Sequence, residues 1–156
     1  MSEPHWIERR RTCWAYSPGG HLAELERATR GILFENRFDV TFKGGRAPSR
    51  APRRVYHVCH PRRSVLRTLL NAAQALRIVL RERPELVLST GADVAVPTLL
   101  LARLLGARLV YVETAAEIGA SLSGRLVYPF ADLFVVQWPE QLARYPRAVL
   151  GRGLLL

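Results

Sequence analysis

Ser17-Pro18-Gly19-Gly20-His21 sets two adjacent glycines and an imidazole between the apolar run Thr12 to Tyr16 and the helical pattern Leu22-Ala23-Glu24-Leu25-Glu26-Arg27-Ala28. This order reads as a strand, a glycine turn and a helix start. Glycines let a ligand approach the backbone closely, and the free N–H groups of a first helical turn suit a phosphate or diphosphate. His21 adds a proton carrier at the mouth. A purely structural turn fits the same residues. The stretch has neither GxGxxG nor GxxxxGK[ST], so it supports neither a nicotinamide enzyme nor an ordinary NTPase.

Two more groups can do chemistry. Ser89-Thr90-Gly91-Ala92-Asp93 offers two hydroxyls and an unobstructed backbone, with Asp93 available to cap a following helix. Glu113-Thr114 follows the apolar run Leu109 to Val112 directly. A carboxylate there is costly unless it is paired or faces solvent, so Glu113 is either a site residue or hydrogen-bonded to neighbouring backbone N–H groups.

The elements that must position these groups are legible. Strands are expected at Thr12 to Tyr16, Asp39 to Phe42, Arg54 to Val58, Leu86 to Ser89, Arg108 to Val112 and Leu133 to Gln137. The strongest helical pattern is Ser64 to Arg83, where Val65, Leu66, Leu69, Leu70, Ala73, Leu76, Val79 and Leu80 recur at helical spacing. Arg67, Arg77 and Arg81 line its remaining face, and Pro84 follows. Alternating strands and helices predict an α/β fold, a single Rossmann-like domain with a mostly parallel, doubly wound sheet in two halves of three strands. Ligands then belong at the carboxyl ends of the strands, where all three loops converge. Residues 1–11 are expected to be a basic arm and 12–156 the domain.

With 156 residues, 49% of them hydrophobic, the chain has material for one core. No 18-residue apolar run occurs, and Val94 to Leu105 is too short and carries Arg103, so no transmembrane helix is expected. Met1 to Arg11 lacks the apolar stretch of a secretory signal. Cys13 and Cys59 form no CxxC pair and read as reduced core thiols, and the four histidines show no metal-ligand spacing; neither metal nor cofactor is expected. The net charge of +10 is one-sided: residues 1–83 hold 17 lysines and arginines against 7 acids. Clusters at Arg9-Arg10-Arg11, Arg53-Arg54 and Arg62-Arg63 suit phosphates or an anionic lipid surface, or form a solvated face. Without a recognition motif or interleaved aromatics, nucleic-acid binding is disfavoured.

SPGGH, STGADVAVP, GARLVYVET, SGRLVYPFADLFVVQWPE and YPRAVLGRG occur in this order from about Thr12 to Gly153. Together they resemble the family of split glycosyltransferase subunits that includes bacterial capsular and exopolysaccharide proteins and the membrane-recruiting subunit of the eukaryotic dolichol-linked N-acetylglucosaminyltransferase. The glycine loop with its histidine is similar, more distantly, to that of the glycosyltransferase that completes the lipid-linked peptidoglycan precursor.

The resemblance implies a half enzyme: the amino-terminal Rossmann-like domain of a GT-B glycosyltransferase, without cofactor, whose partner subunit carries the UDP-sugar site. This half would hold a polyprenyl-diphosphate-linked acceptor at an anionic membrane surface, on the cytoplasmic face of the plasma membrane. By the same resemblance Ser17, Gly19, Gly20, Ser89, Thr90, Gly91 and Thr114 contact substrate, and His21 or Glu113 is the base, with His21 preferred. The family usually follows its acidic turn with an aromatic and then a basic residue, whereas this chain reads Ala115-Ala116-Glu117. An anion at that point keeps open a non-catalytic subunit that recruits and activates a catalytic partner. The end Gly151 to Leu156 is a candidate for insertion into the partner or for a frayed terminus.

Overall fold

A computed structural model describes residues 5–151. The first four residues of the expected arm and residues 152–156 of the terminal segment lie outside that range. Seven strands form one parallel sheet: β2 (Thr12–Ala15), β4 (Arg37–Thr41), β5 (Arg54–His57), β6 (Leu86–Ser89), β7 (Arg108–Val112), β8 (Leu133–Val136) and β9 (Val149–Leu150), in the order β5-β4-β2-β6-β7-β8-β9. The order reverses between β2 and β6, as in a doubly wound sheet. The six expected strands form within a residue or two of their expected bounds. The second half gains β9, so the halves hold three and four strands. A separate pair, β1 (Trp6–Glu8) and β3 (Ile32–Phe34), runs parallel at one side, so part of the expected arm is strand.

Side-chain alternation along the central strands divides the core. Cys13, Ala15 and Val87 point to the face covered by α2 (Val65–Glu82) and α3 (Val96–Leu104), joining Ile78, Val79, Leu99 and Ala102. Trp14, Tyr16, Leu86 and Leu88 point the other way and pack on Leu22 and Leu25 of α1 (Gly20–Ala28). Helices on both faces explain why β2 and β6 are buried throughout. The last α-helix among the described residues, α4 (Leu122–Val127), is capped by Ser121, whose hydroxyl accepts from Gly124 N. Cys13 and Cys59 are free thiols, the second lying beyond the end of β5 rather than in a strand.

The α2 helix forms where its periodicity predicts, capped by Ser64 and ended by Arg83 in a left-handed conformation before Pro84. Its apolar stripe, however, faces outward. Val65 and Leu66 are 79% and 78% exposed, and Leu69, Leu70, Leu76 and Leu80 are exposed too. The residues it buries are Asn71, Ala75, Ile78, Val79 and Glu82. Asn71 donates to the carbonyls of Cys59 and Val94 at 2.7 and 3.2 Å, fixing α2 to the loops beyond β5 and β6.

The arginine clusters also part company. Arg9 and Arg10 pair with Glu35 and Glu8, and Arg53 and Arg54 reach Glu82, all near the amino ends of the strands. Arg62 and Arg63 alone among the three clusters lie past the carboxyl end of β5, exposed, with no carboxylate within 4 Å among the described residues.

Candidate functional site

At the crossing between β2 and β6 the chain builds its cleft from the loops expected to converge there. Gly19 precedes the first turn of α1, no side chain caps that turn, and a methyl group added at Gly19 or Gly20 would meet nothing within 4 Å. The helix start is therefore open to an anion.

His21 is held between two loops. Its Nδ1 lies 3.1 Å from the carbonyl of Thr90, and the Thr90 hydroxyl donates back to the His21 carbonyl at 2.6 Å. Because a carbonyl only accepts, the neutral ring carries its proton on Nδ1, which leaves a lone pair on Nε2. The side chain is 29% exposed, enough for the ring to meet a ligand. Gly91 lies beneath it at φ +124°, and a Cβ there would stand 3.0 Å from His21 Cε1. Glycine is required both for the conformation and for the ring's seat.

Several expected substrate contacts are instead turned inward. Ser89 is fully buried, accepting from Gly91 N at 3.0 Å, and Thr90 serves His21. Thr114 donates to Glu24 Oε1 at 3.1 Å and accepts from Ala116 N. These hydroxyls shape the cleft wall, leaving Gly19, Gly20 and the half-buried Ser17 at its surface. Asp93 accepts from its neighbour Val94 N and stands 3.8 Å from His60, while the N-cap position of α3 falls on Ala95, so Asp93 does not cap it.

Glu113 is sealed. One carboxylate oxygen accepts from Thr114 N at 3.0 Å and from the Ser121 hydroxyl at 2.7 Å; the other accepts from Ser121 N at 3.2 Å and from the Tyr145 hydroxyl at 2.7 Å. The hydrogen bonds to neighbouring backbone N–H groups that the sequence allowed for are present, from Thr114 and Ser121. Burial first, and then the Glu113 carboxylate, push the Tyr145 hydroxyl above the ordinary phenol range, so it remains a donor at neutral pH. Gly124 presses against Glu113 so closely that any side chain would collide with it.

Residues that the sequence reading passed over complete this wall. Gln141, fully buried, donates to the carbonyls of Glu117 and Gly119 at 2.9 and 3.2 Å. Gln137 and the Trp138 indole donate to the carbonyls of Glu113 and Ala115. The VVQWPE stretch is thus the brace of the loop after β7. Glu24, read only as part of a helical pattern, bridges α1 to that loop through Thr114 and Ala115 N at 2.9 Å.

The family model described as Oligosaccharide biosynthesis protein Alg14 like matches residues 50–154, two thirds of the sequence. The chain belongs to the Alg14-like family. That match takes in the loops after β6 and β7 and stops short of the glycine loop. Among relatives of the family, the UDP-N-acetylglucosamine transferase subunit ALG14 of Eremothecium gossypii is 44% identical over 98 residues, covering 54% of this chain and 44% of that protein. The protein of the same name from Rattus norvegicus is 38% identical over 97 residues, covering 57% and 45%. The chain therefore spans less than half the length of the curated relatives it matches, and neither is a capsule or exopolysaccharide protein. Among solved structures, MurG of Acinetobacter baumannii aligns with a TM-score of 0.64 at 19% identity, over 92% of this chain and 46% of that one. UDP-N-acetylglucosamine 2-epimerase from Rickettsia bellii aligns at 0.66 and 9%, over 91% and 44%. At such identities these establish the Rossmann-like fold shared with one half of those enzymes, and no more.

Proposed function

We propose that residues 12–156 are the acceptor-holding half of a two-subunit glycosyltransferase. Together with a partner carrying the UDP-sugar site, it transfers a sugar to a polyprenyl-diphosphate-linked acceptor. The names of the relatives support UDP-N-acetylglucosamine as donor. The observation that carries the reading is the junction of an open helix start with a histidine whose Nδ1 is committed to Thr90. The diphosphate of the acceptor lies against the amide of Gly20 and the positive end of α1, the Gly19 N–H being turned to the carbonyl of Ser17 at 2.8 Å. The acceptor hydroxyl oxygen attacks the anomeric carbon while His21 Nε2 takes its proton, and the bond to the departing UDP breaks with its electron pair on the phosphate oxygen. Glu113 shapes the wall and stays out of the proton transfer.

The exposed stripe of α2 supports a peripheral membrane position, on the cytoplasmic face where a UDP-sugar is at hand. Val65 and Leu66 begin next to the exposed Arg62 and Arg63, at the end of α2 that borders the cleft. Apolar side chains beside cations suit an anionic bilayer surface, and the lipid tail of the acceptor then stays in the bilayer while its diphosphate reaches the loops. No helix among the described residues is long and apolar enough to cross a membrane.

One feature favours a second reading, a recruiting subunit without a chemical role: Glu117 stands exposed on the loop after β7, where the family resemblance has a cation. Transfer of label from UDP-N-acetylglucosamine to a membrane lipid fraction separates the two, measured with the partner alone, with the pair, and with the pair carrying His21→Ala. Transfer only by the pair, lost in the variant, is the expected result. Transfer that survives His21→Ala, or that the partner performs alone, assigns the chemistry to the other subunit.

A further inference from the structure

Glu24 carries an anomaly that the cleft explains. It is buried on α1 three residues after His21, and its Oε1 accepts from Thr114 Oγ1 and Ala115 N. Its Oε2 is sealed from solvent and has no hydrogen-bond partner. A carboxylate oxygen left so is expensive, and isosteric glutamine would bridge to Thr114 and Ala115 through its one carbonyl without leaving the unpaired anion. The unpaired oxygen lies 3.7 Å from His21 Nδ1, and among the described residues Glu24 is the one carboxylate within 4 Å of that ring. In the ground state Nδ1 donates to Thr90 instead, at 3.1 Å. The anion is therefore placed beside the ring that gains positive charge when Nε2 takes a proton.

We propose that Glu24 is a positioning residue that acts through His21: its Oε2 is the buried counter-charge for the imidazolium formed during transfer, while its Oε1 holds the loop after β7 against α1. The inference rests on the reading of His21 as base. Charge that develops only in the transition state gains most from a fixed counter-charge in a site shielded from water. Thr90 and Glu24 then share one ring nitrogen in sequence, the carbonyl fixing the tautomer before transfer and the carboxylate answering the positive charge during it.

The test uses the assembled two-subunit enzyme, with kcat and KM for the lipid-linked acceptor measured for the unaltered pair, Glu24→Gln, His21→Ala and the double variant. Glu24→Gln is expected to lower kcat by about 10- to 100-fold with KM within about threefold, because the interaction is made in the transition state. In the His21→Ala background the same change is expected to cost less than about twofold, since the group it serves is gone. Glu24→Asp, which keeps the charge on a shorter stem, recovers part of the lost kcat and supplies the same cycle should the glutamine variant not fold. An unchanged kcat in Glu24→Gln, a loss confined to KM, or a loss of equal size in both backgrounds overturns the proposal. If His21→Ala itself retains full turnover, the reading of His21 as base has failed; if His21→Ala is inactive while Glu24→Gln is normal, that reading stands and the role of Glu24 alone is refuted.

Discussion

The loops after β2 and β7 offer the two candidate bases, and the chain treats them in opposite ways. After β2 the wall is open: two exposed glycines, an uncapped helix start, and an imidazole with one nitrogen engaged and a partly exposed ring. After β7 the candidate base itself is committed, with four donors on Glu113, and Gln137, Trp138 and Gln141 brace the carbonyls that follow. A group that must accept a proton from a substrate needs a free lone pair within reach of it. On that criterion the two loops divide the labour. In the proposed reaction one supplies the reacting groups and the other supplies the wall against which they are set.

The largest effect expected from breaking this division is chemical. His21→Ala should reduce transfer by the assembled enzyme by about 10²- to 10⁴-fold, the usual contribution of a positioned base. Thermal melting of the chain should barely move, because a partly exposed ring holding one loop bond adds little to the core. A variant that instead loses its melting transition would show that His21 is structural and erase the contrast.

The opposite pattern belongs to Gly124→Ala. Its new methyl group would meet the Glu113 carboxylate and approach within 2.6 Å of the Tyr145 hydroxyl, so a fully satisfied buried network must be pulled apart. Overpacking with loss of a buried hydrogen bond should cost about 3 kcal/mol or more, seen as a lowered denaturation midpoint. Normal stability would mean that the loop after β7 is plastic rather than a fixed wall.

Gly91→Ala tests the joint between the two regions. The substitution forces a φ of +124° on alanine and drives its Cβ into the edge of the His21 ring. A destabilisation of about 1–3 kcal/mol is expected from the strained backbone, with transfer falling further than the lost folded fraction explains, since the ring is displaced from its seat. Loss of activity that merely tracks stability would detach His21 from Gly91.

Much of this was legible in the residues, and the failures have physical causes. The six long strands could be read because β2 and β6 are short apolar runs between turn signals, whereas β1, β3 and β9 have two or three residues and no period to detect. The rule that ligands sit at carboxyl ends of parallel strands pointed to the glycine loop, Gly91 and Glu113, and the structure brings their loops together. The hydrogen bonding of Glu113 was not legible, because Ser121 and Tyr145, which seal it, lie 8 and 32 residues away along the chain. Glu24 was hidden for a different reason. Between Leu22 and Leu25 it occupies a buried position of an amphipathic helix, and a helical pattern cannot tell a polar residue at its margin from one that closes a site.

The same limit produced the most consequential surprise, the outward stripe of α2. Periodicity reports that a helix has an apolar side and is silent on what that side meets. Here the neighbours decide: Asn71 with its two carbonyl acceptors, together with Ala75, Ile78 and Val79, turns the other side to the sheet and leaves the leucines out. If the stripe rests on a membrane, Leu66→Ala with Leu69→Ala should weaken binding to vesicles of anionic phospholipid by about tenfold or more, given about 0.8 kcal/mol per buried methylene. Replacing Arg62 and Arg63 by glutamine should cost about fivefold each, at about 1 kcal/mol per cation near the surface, and this loss alone should vanish at high salt. Because all four side chains are exposed, stability in solution should not change. Vesicle binding indifferent to the leucines but sensitive to salt would reduce the contact to charge. Indifference to both would leave α2 as a surface for a protein, and the acceptor lipid would then have to reach the glycine loop past another face.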